Sequence, residues 1–208
     1  MTNIYLTRHG KTLWNLEKRL QGSGDSELTE EGINQAIELG EEISKMDIDV
    51  IYTSPIKRAY RTAKEIKANL NINVVSDDRL KEINFGEYEG STEEELLELG
   101  LGKEIAEIFN GNMKVQAPGG ESLAELYNRV KDFLDELLVL EKDKNILIVT
   151  HGTTLKAIVT YFRKSEEFYN VIMGQATLTK ISCENDDFKF EYINDDSHLK
   201  NNSLKTGW

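Results

Sequence analysis

Two apolar segments of this chain each end in a histidine-glycine pair. Residues 3–6 lead into the pair that begins at His9, and residues 145–150 lead into the pair that begins at His151. These are two of only three histidines in 208 residues. If the two segments are neighbouring parallel strands, both imidazoles lie at the carboxyl edge of one sheet, where open α/β sheets bind their ligands. The pattern therefore predicts a functional site at the ends of these strands.

Strand-like and helix-like patterns alternate along the rest of the chain. The predicted strands cover residues 3–6, 49–53, 74–80, 145–150, 177–182 and 188–193. Thr29 and Ser122 are predicted N-caps of helices, and Ser122 with Glu125 fits a capping box. Ser54 and Pro55 are predicted to open another helix, because proline suits the first helical position. This βαβα order indicates an α/β fold with a mostly parallel sheet and helices on both faces, and the last two strands form a predicted hairpin.

Length and composition indicate one domain in a reducing compartment. The chain suits a single domain, 1–208, in which the irregular segment at about 81–120 is predicted to be a lid-like insertion. The net charge of −12 argues against nucleic-acid and anionic-membrane partners, since phosphate groups bind clustered cations. A single cysteine, no signal-peptide pattern and no apolar run of roughly 20 residues together predict a cytoplasmic protein. The last dozen residues are polar and are predicted to be frayed.

The residues around His9 suit chemistry at a phosphoryl group. The guanidinium of Arg8 can hold two phosphoryl oxygens at once, and a neighbouring cation lowers the pKa of a histidine. The pair favours a neutral, attacking imidazole beside an anion; the alternative is a core histidine next to a surface arginine. Arg58, early in the helix after the second strand, and Glu82, just past the third strand, are predicted to reach the same sheet edge. Glu82 is there a candidate proton donor.

Five separate segments carry a family resemblance. They are RHGKTLWN from Arg8, RLQGSGDSELTEEG from Arg19, SPIKRAYRTA from Ser54, LKEINFGEYEG from Leu80 and VTHG from Val149. In this order and spacing, over about residues 3–160, the chain resembles the histidine phosphatase superfamily, in the branch that includes cofactor-dependent phosphoglycerate mutase. The resemblance implies a three-layer α/β/α sandwich around a mostly parallel central sheet.

The resemblance also implies roles for the matching residues. His9 is implied as the nucleophile that becomes phosphohistidine, and Glu82 as the acid that protonates the leaving oxygen and then activates water. The other implied phosphate and substrate contacts are Arg8, Asn15, Gln21, Gly22, Arg58, His151 and Gly152. We expect His151 to be protonated, so that an imidazolium and two guanidinium groups supply the positive charge that phosphoryl transfer needs. Neither a metal nor a cofactor is expected.

Other functions compete with this one. Mutases of this branch carry basic residues after the position of Glu82, whereas this chain has no arginine from 80 to 128. We therefore expect a phosphomonoesterase of the histidine acid phosphatase type that acts on a small phosphorylated metabolite, with cofactor-dependent phosphoglycerate mutase as the alternative. A metal site formed by His9, Glu82 and His151 is opposed by the adjacent arginines. A catalytically inactive phosphate sensor is also possible, and the sequence leaves open both the substrate and the choice between monomer and homodimer.

Overall fold

The computed structural model describes residues 1–68, 70–169 and 171–200. Its strands are β1 (Thr2–Arg8), β2 (Val50–Thr53), β3 (Asn73–Ser76), β4 (Asn145–Thr150), β5 (Leu178–Glu184) and β6 (Asp187–Asp195). Its α-helices are α1 (Leu13–Glu17), α2 (Glu30–Ile43), α3 (Lys57–Lys67), α4 (Glu93–Glu98), α5 (Gly102–Phe109), α6 (Leu123–Leu140) and α7 (Gly152–Arg163).

All of these strands belong to one sheet, in the order β3-β2-β4-β1-β5-β6. The pairings β3–β2, β2–β4 and β4–β1 are parallel, whereas β5 is antiparallel to β1 and β6 to β5. At the junction of β1 and β4, Arg8 lies opposite Thr150. The two strands therefore end level with each other, and His9 and His151 leave the sheet at the same edge. The predicted parallel pairing is confirmed.

The central strands alternate their apolar side chains between two cores. In β4, Ile146 and Ile148 pack in the core beneath α6 and α7, whereas Leu147 and Val149 pack in the core beneath α2 and α3. All four side chains are fully buried, and each such burial contributes roughly 1.5–3 kcal/mol. Helices are thus held on both faces of the sheet, which confirms the three-layer α/β/α sandwich.

Two predicted helix starts are confirmed and one is wrong. Thr29 caps α2, and Ser122 forms the capping box of α6. In contrast, α3 begins at Lys57 with Ile56 as its N-cap, so Ser54 does not cap the helix. The reason is tertiary, because the Oγ atom of Ser54 is buried and bonds to a histidine from another strand end, as described below.

The third strand is shorter than predicted, and the hairpin is present. β3 stops at Ser76, because the carboxylate of Asp77 accepts a hydrogen bond from the backbone N–H of Arg79 and starts a 3₁₀ turn. Residues 74–80 are therefore not all strand. In the hairpin, Asn185 and Asp186 connect β5 to β6 with φ angles of 48° and 63°, the left-handed conformation that two-residue hairpin turns require.

The segment at 81–120 and the chain end both contribute to the cores. Leu96 of α4 and Ile105 of α5 are buried in the same core as α6, while a lid-like role for this segment stays a prediction. Near the chain end, Leu199 is 8% exposed, and the ring of His198 bonds to the carbonyl of Ala176. The predicted fraying falls mainly on residues 201–208, which lie outside the described residues. Within the described ranges, no helix is both long and apolar enough to cross a bilayer.

Candidate active site

The two strand-end histidines meet at the carboxyl edge of the sheet. The side chains of His9 and His151 are 2% and 0% exposed. Their ring centroids are 5.3 Å apart, with the ring planes inclined by 61°. The juxtaposition predicted from the two apolar segments is therefore present, and two titratable rings share one buried space.

The hydrogen bonds of His9 define which of its ring nitrogens is the nucleophilic one. Its Nδ1 atom is 2.8 Å from the carbonyl oxygen of Gly10, which only accepts, so Nδ1 carries the proton. Its Nε2 atom then accepts a hydrogen bond from Nε of Arg58 at 3.2 Å. Burial, reinforced by the charges of Arg58 and Arg8, lowers the pKa of His9 well below its ordinary value. His9 is thus a neutral imidazole whose Nε2 lone pair faces the guanidinium of Arg58.

Arg58 is a buried guanidinium fixed by backbone carbonyls. It is 1% exposed, and its two terminal nitrogens donate to the carbonyls of Gly24 at 2.6 Å and Gly22 at 2.7 Å. The carboxylate of Asp25 lies 3.4 Å away. Burial lowers the pKa of Arg58 even so, because these contacts replace only part of its hydration. Gly22 binds the arginine through its carbonyl, at a φ of 46° that favours glycine, and its predicted substrate contact stays a prediction.

Arg8 is the second buried cation and is less well satisfied. One of its terminal nitrogens donates to the carbonyl of Met173 at 3.1 Å, while its buried Nε has no hydrogen-bond partner among the described residues. Burial lowers the pKa of Arg8 to about 10. Gly152, the first residue of α7, lies against this guanidinium. An anion bound here would supply the hydrogen-bond acceptor that Nε lacks.

The surroundings of His151 oppose the predicted imidazolium. Burial, followed by the charge of Arg58, lowers its pKa well below the ordinary value. Its Nε2 lies 2.8 Å from Oγ of Ser54, and that same Oγ accepts a hydrogen bond from the N–H of Ile56. When the serine hydroxyl donates to Nε2, the proton of a neutral His151 lies on Nδ1. Within the described ranges, this buried Nδ1 has no partner, so a neutral His151 still offers one donor.

Glu82 lies at the amino-terminal end of α7. Its two carboxylate oxygens accept hydrogen bonds from the backbone N–H groups of Thr153 and Thr154, each at 3.0 Å. The hydroxyl oxygen of Thr154 lies 3.1 Å from one of these carboxylate oxygens. A helix amino terminus attracts a carboxylate through its free N–H groups and its dipole. The side chain is 8% exposed, so Glu82 is fixed at the cavity wall as predicted.

Asn15 and Gln21 are held by a shared threonine. The N–H of Thr12 donates to Oδ1 of Asn15 at 3.0 Å, and the Thr12 hydroxyl lies within hydrogen-bond distance of both Asn15 Oδ1 and Gln21 Oε1. This network is the capping box of α1. Both side chains line the same cavity as His9, so the structure brings them to the predicted place, and their contacts to substrate stay predictions.

Most of these groups border one cavity of about 100 Å³, whereas His151 is not a lining residue and packs against the ring of His9. Its walls are formed by Arg8, His9, Asn15, Arg19, Leu20, Gln21, Gly22, Arg58, Glu82, Phe85, Phe109, Gly152, Thr153, Lys156, Ile172 and Met173. Residues 4–196 match the histidine phosphatase superfamily (branch 1). The chain belongs to this superfamily.

Relatives and solved structures of the superfamily match most of this histidine phosphatase. Phosphoserine phosphatase 1 of Hydrogenobacter thermophilus is 39% identical over 158 residues, 76% of this chain and 74% of the relative. A probable phosphoglycerate mutase, GpmB of Erwinia tasmaniensis, is 37% identical over 166 residues, 77% of this chain and 74% of that protein. The structure of Bacillus stearothermophilus YhfR superposes with a TM-score of 0.89 at 30% identity, covering 96% of this chain and 100% of YhfR.

Several residues of the site escaped the sequence analysis. Lys156 lines the cavity. It follows Gly152 by four residues, so it lies on the same face of a helix that starts at the sheet edge, and this spacing could have predicted it as a site residue. Burial lowers the pKa of Lys156, with the nearby Glu82 opposing the shift and Arg8 adding to it. Ser54 directly follows β2, so the same sheet-edge argument applies to it. Met173, whose carbonyl binds Arg8, is marked by no sequence pattern.

The competing metal site does not form from the predicted ligands. Among the residues that the structure describes, no group of three or more histidine, cysteine, aspartate or glutamate side chains could hold a metal ion. Both oxygens of Glu82 are directed to α7 backbone N–H groups, and Nε2 of His9 is directed to Arg58. The site is organised around guanidinium groups, which suit an anion.

Proposed function

We propose that this histidine phosphatase hydrolyses phosphomonoesters of small metabolites through a phosphohistidine on His9, without a metal ion. The observation that carries the proposal is the contact between Nε2 of neutral His9 and the buried guanidinium of Arg58. It places an unprotonated nitrogen beside positive charge in a small cavity, the arrangement that an in-line attack on a phosphoryl group needs.

In the first step, Nε2 of His9 attacks phosphorus and the bond from phosphorus to the ester oxygen breaks. Arg8, Arg58 and the Nδ1–H of His151 hold the non-bridging oxygens, whose charge must be stabilised as the phosphoryl group moves. Glu82 gives its proton to the departing alcohol. The products are the alcohol, phosphohistidine and an ionised Glu82.

In the second step, water attacks the phosphohistidine and the bond between phosphorus and Nε2 breaks. Glu82 now takes a proton from the water, so it ends as it began, and His9 returns to its neutral form. Inorganic phosphate leaves the cavity.

Two guanidinium groups supply the charge for which many phosphotransferases recruit Mg²⁺, and a His9 with a lowered pKa stays unprotonated in acid. Both features support the acid-phosphatase type.

The walls of the cavity favour hydrolysis over the mutase reaction. Within the described residues, the segment at 81–120 contributes Glu82, Phe85 and Phe109 to the cavity and no cation. A second phosphoryl group that contacts this segment would meet aromatic and acidic side chains, so its counter-charge could come only from Arg19 and Lys156 elsewhere in the cavity wall. Water therefore competes well with a second substrate for the phosphohistidine.

Phosphoserine is the first substrate to test. A phosphatase acting on it is among the relatives, and Lys156 supplies a cation in the cavity wall for the carboxylate of such an ester.

We place the protein in the cytoplasm, because its single Cys183 is buried and cannot form an intramolecular disulfide.

The test is release of inorganic phosphate from phosphoserine and from p-nitrophenyl phosphate, before and after exhaustive chelation. We expect turnover of both esters to survive chelation and to be lost in His9→Ala. Turnover abolished by the chelator and restored by a divalent metal would contradict the metal-free reaction, and full turnover by His9→Ala would contradict the nucleophile.

A further inference from the structure

Arg129 of α6 uses its whole guanidinium to hold the chain that carries Glu82. One terminal nitrogen donates to the carbonyls of Arg79 at 2.7 Å and Lys81 at 2.8 Å. The other donates to the carbonyl of Glu82 at 3.0 Å and to Glu121 at 2.9 Å, and Nε donates to Glu121 at 2.7 Å. All five N–H groups therefore have an acceptor, and three of the acceptors are backbone carbonyls within four residues.

Two threonines complete this arrangement. The hydroxyl of Thr150 donates to the carbonyl of Leu80 at 2.6 Å, and the hydroxyl of Thr154 donates to the carbonyl of Lys81 at 2.8 Å. Each carbonyl from residue 79 to residue 82 thus accepts a hydrogen bond from a side chain. Residues 81–85 belong to no helix or strand. Side chains therefore provide the hydrogen bonds that backbone carbonyls receive from other backbone groups in regular secondary structure.

We propose that Arg129 is the positioning residue for the general acid of this enzyme. The carboxylate of Glu82 is fixed by α7, and its backbone is fixed by Arg129 from α6, so the two helices together set the distance from acid to leaving oxygen. Glu121 keeps the guanidinium in its plane by a two-point contact. The fork of an arginine suits three carbonyls and a carboxylate, whereas an ammonium does not. The proposal rests on the proposed function, in which Glu82 protonates the leaving group.

A displaced acid has a recognisable kinetic signature. An alkoxide needs a proton to leave, whereas p-nitrophenolate leaves without one. Because kcat/KM reports only the steps up to departure of the alcohol, it isolates this difference from the later attack of water. A merely structural role for Arg129 would lower kcat/KM for both kinds of ester alike.

The experiment compares glycerol 2-phosphate with p-nitrophenyl phosphate in Arg129→Met, Arg129→Lys and Arg79→Met. For Arg129→Met we expect kcat/KM to fall about 10- to 100-fold with glycerol 2-phosphate and to stay within about threefold with p-nitrophenyl phosphate, since small displacements of a catalytic group cost this much. Arg129→Lys should lie between Arg129→Met and wild type. Arg79→Met is the matched control, because the Arg79 side chain pairs with Asp77 and Glu136 and makes no contact to these carbonyls.

Glu82→Gln separates failure of this proposal from failure of the proposed function. It should show the same selective loss, only larger, about 100-fold or more. If Glu82→Gln is selective and Arg129→Met lowers both esters equally or neither, the positioning role is wrong. If Glu82→Gln is not selective, the proposed acid is wrong. The Kd for inorganic phosphate should be unchanged in a folded Arg129→Met; should that variant not fold, Arg129→Lys and Glu121→Gln must show the selective loss, and equal losses overturn the proposal.

Discussion

Nε of Arg58 donates a hydrogen bond to Nε2 of His9 across 3.2 Å. This one contact places the proton of His9 on Nδ1, directs its lone pair into the cavity and puts a fixed positive charge beside it. The other nitrogens of Arg58 are bound to the carbonyls of Gly22 and Gly24, so the guanidinium cannot move far. We expect a phosphoryl oxygen to take over the Nε–H of Arg58 when substrate binds, which frees Nε2 for attack.

Replacing Arg58 should slow the reaction and change the pKa of His9. We expect Arg58→Met to lower kcat/KM about 100- to 1,000-fold, because one preorganised donor to the transferring group is lost. The pKa of His9 should rise, since Arg58 is its largest charge perturbation, and a titration of His9 followed by ¹⁵N NMR measures this. Arg61→Met, at an exposed position of the same helix, is the control. A wild-type rate in Arg58→Met, or an unmoved His9 titration, would contradict the role.

The two buried histidines make stability depend on pH. Both folded-state pKa values lie well below 6.5, so the unfolded chain binds protons that the folded protein does not as pH falls through 6.5. Stability is therefore lost on the acid side. By about pH 5.5 each histidine should have cost about 1.4 kcal/mol.

Urea unfolding of wild type and of the double variant His9→Asn, His151→Asn between pH 7.5 and 5.5 measures this loss. The double variant lacks both rings. Between pH 7.5 and 5.5 its free energy of unfolding should therefore fall by about 3 kcal/mol less than that of wild type. Parallel pH dependence in the two proteins would show that the rings are protonated in the folded state.

Lys156 should discriminate between substrates. Its ammonium lies in the cavity wall near Arg8 and Glu82, where it can meet a carboxylate of the leaving group. We expect Lys156→Gln to lower kcat/KM for phosphoserine about 10- to 100-fold, the worth of a hydrogen bond between charged groups, with little change for p-nitrophenyl phosphate. Lys64→Gln, on the exposed face of α3, serves as control. Equal losses for both esters would assign Lys156 to the phosphate instead.

The sequence predicted the site where general rules of α/β proteins apply. His9 and His151 each follow an apolar strand, and parallel strands bring their ends to one edge, so their meeting needs no knowledge of side-chain contacts. The direction of the His9 pKa shift was predicted from its covalent neighbour Arg8, although burial and the charge of Arg58 contribute more to it. The same sheet-edge rule placed Arg58 and Glu82, and the family segments then added Asn15 and Gln21.

The sequence could not supply contacts made across the fold. Ser54 was read as a helix cap because serine before proline suits that position, yet its hydroxyl is used by His151, 97 residues away. The lowered pKa of His151 was not predicted for the same reason, since its burial is set by packing between layers. Arg129 contacts the carbonyl of Glu82 from 47 residues along the chain, and no local pattern marks a guanidinium that binds backbone.

The account is tested most directly by locating the covalent intermediate. Glu82→Gln should accumulate it from p-nitrophenyl phosphate, because this ester needs no acid to react while the attack of water is slowed. After quenching in alkali and digestion, mass spectrometry should find one phosphoryl group on the imidazole of His9, and His9→Asn should carry none. A phosphoryl group on any other residue, or a product burst with no modified residue, would contradict the account.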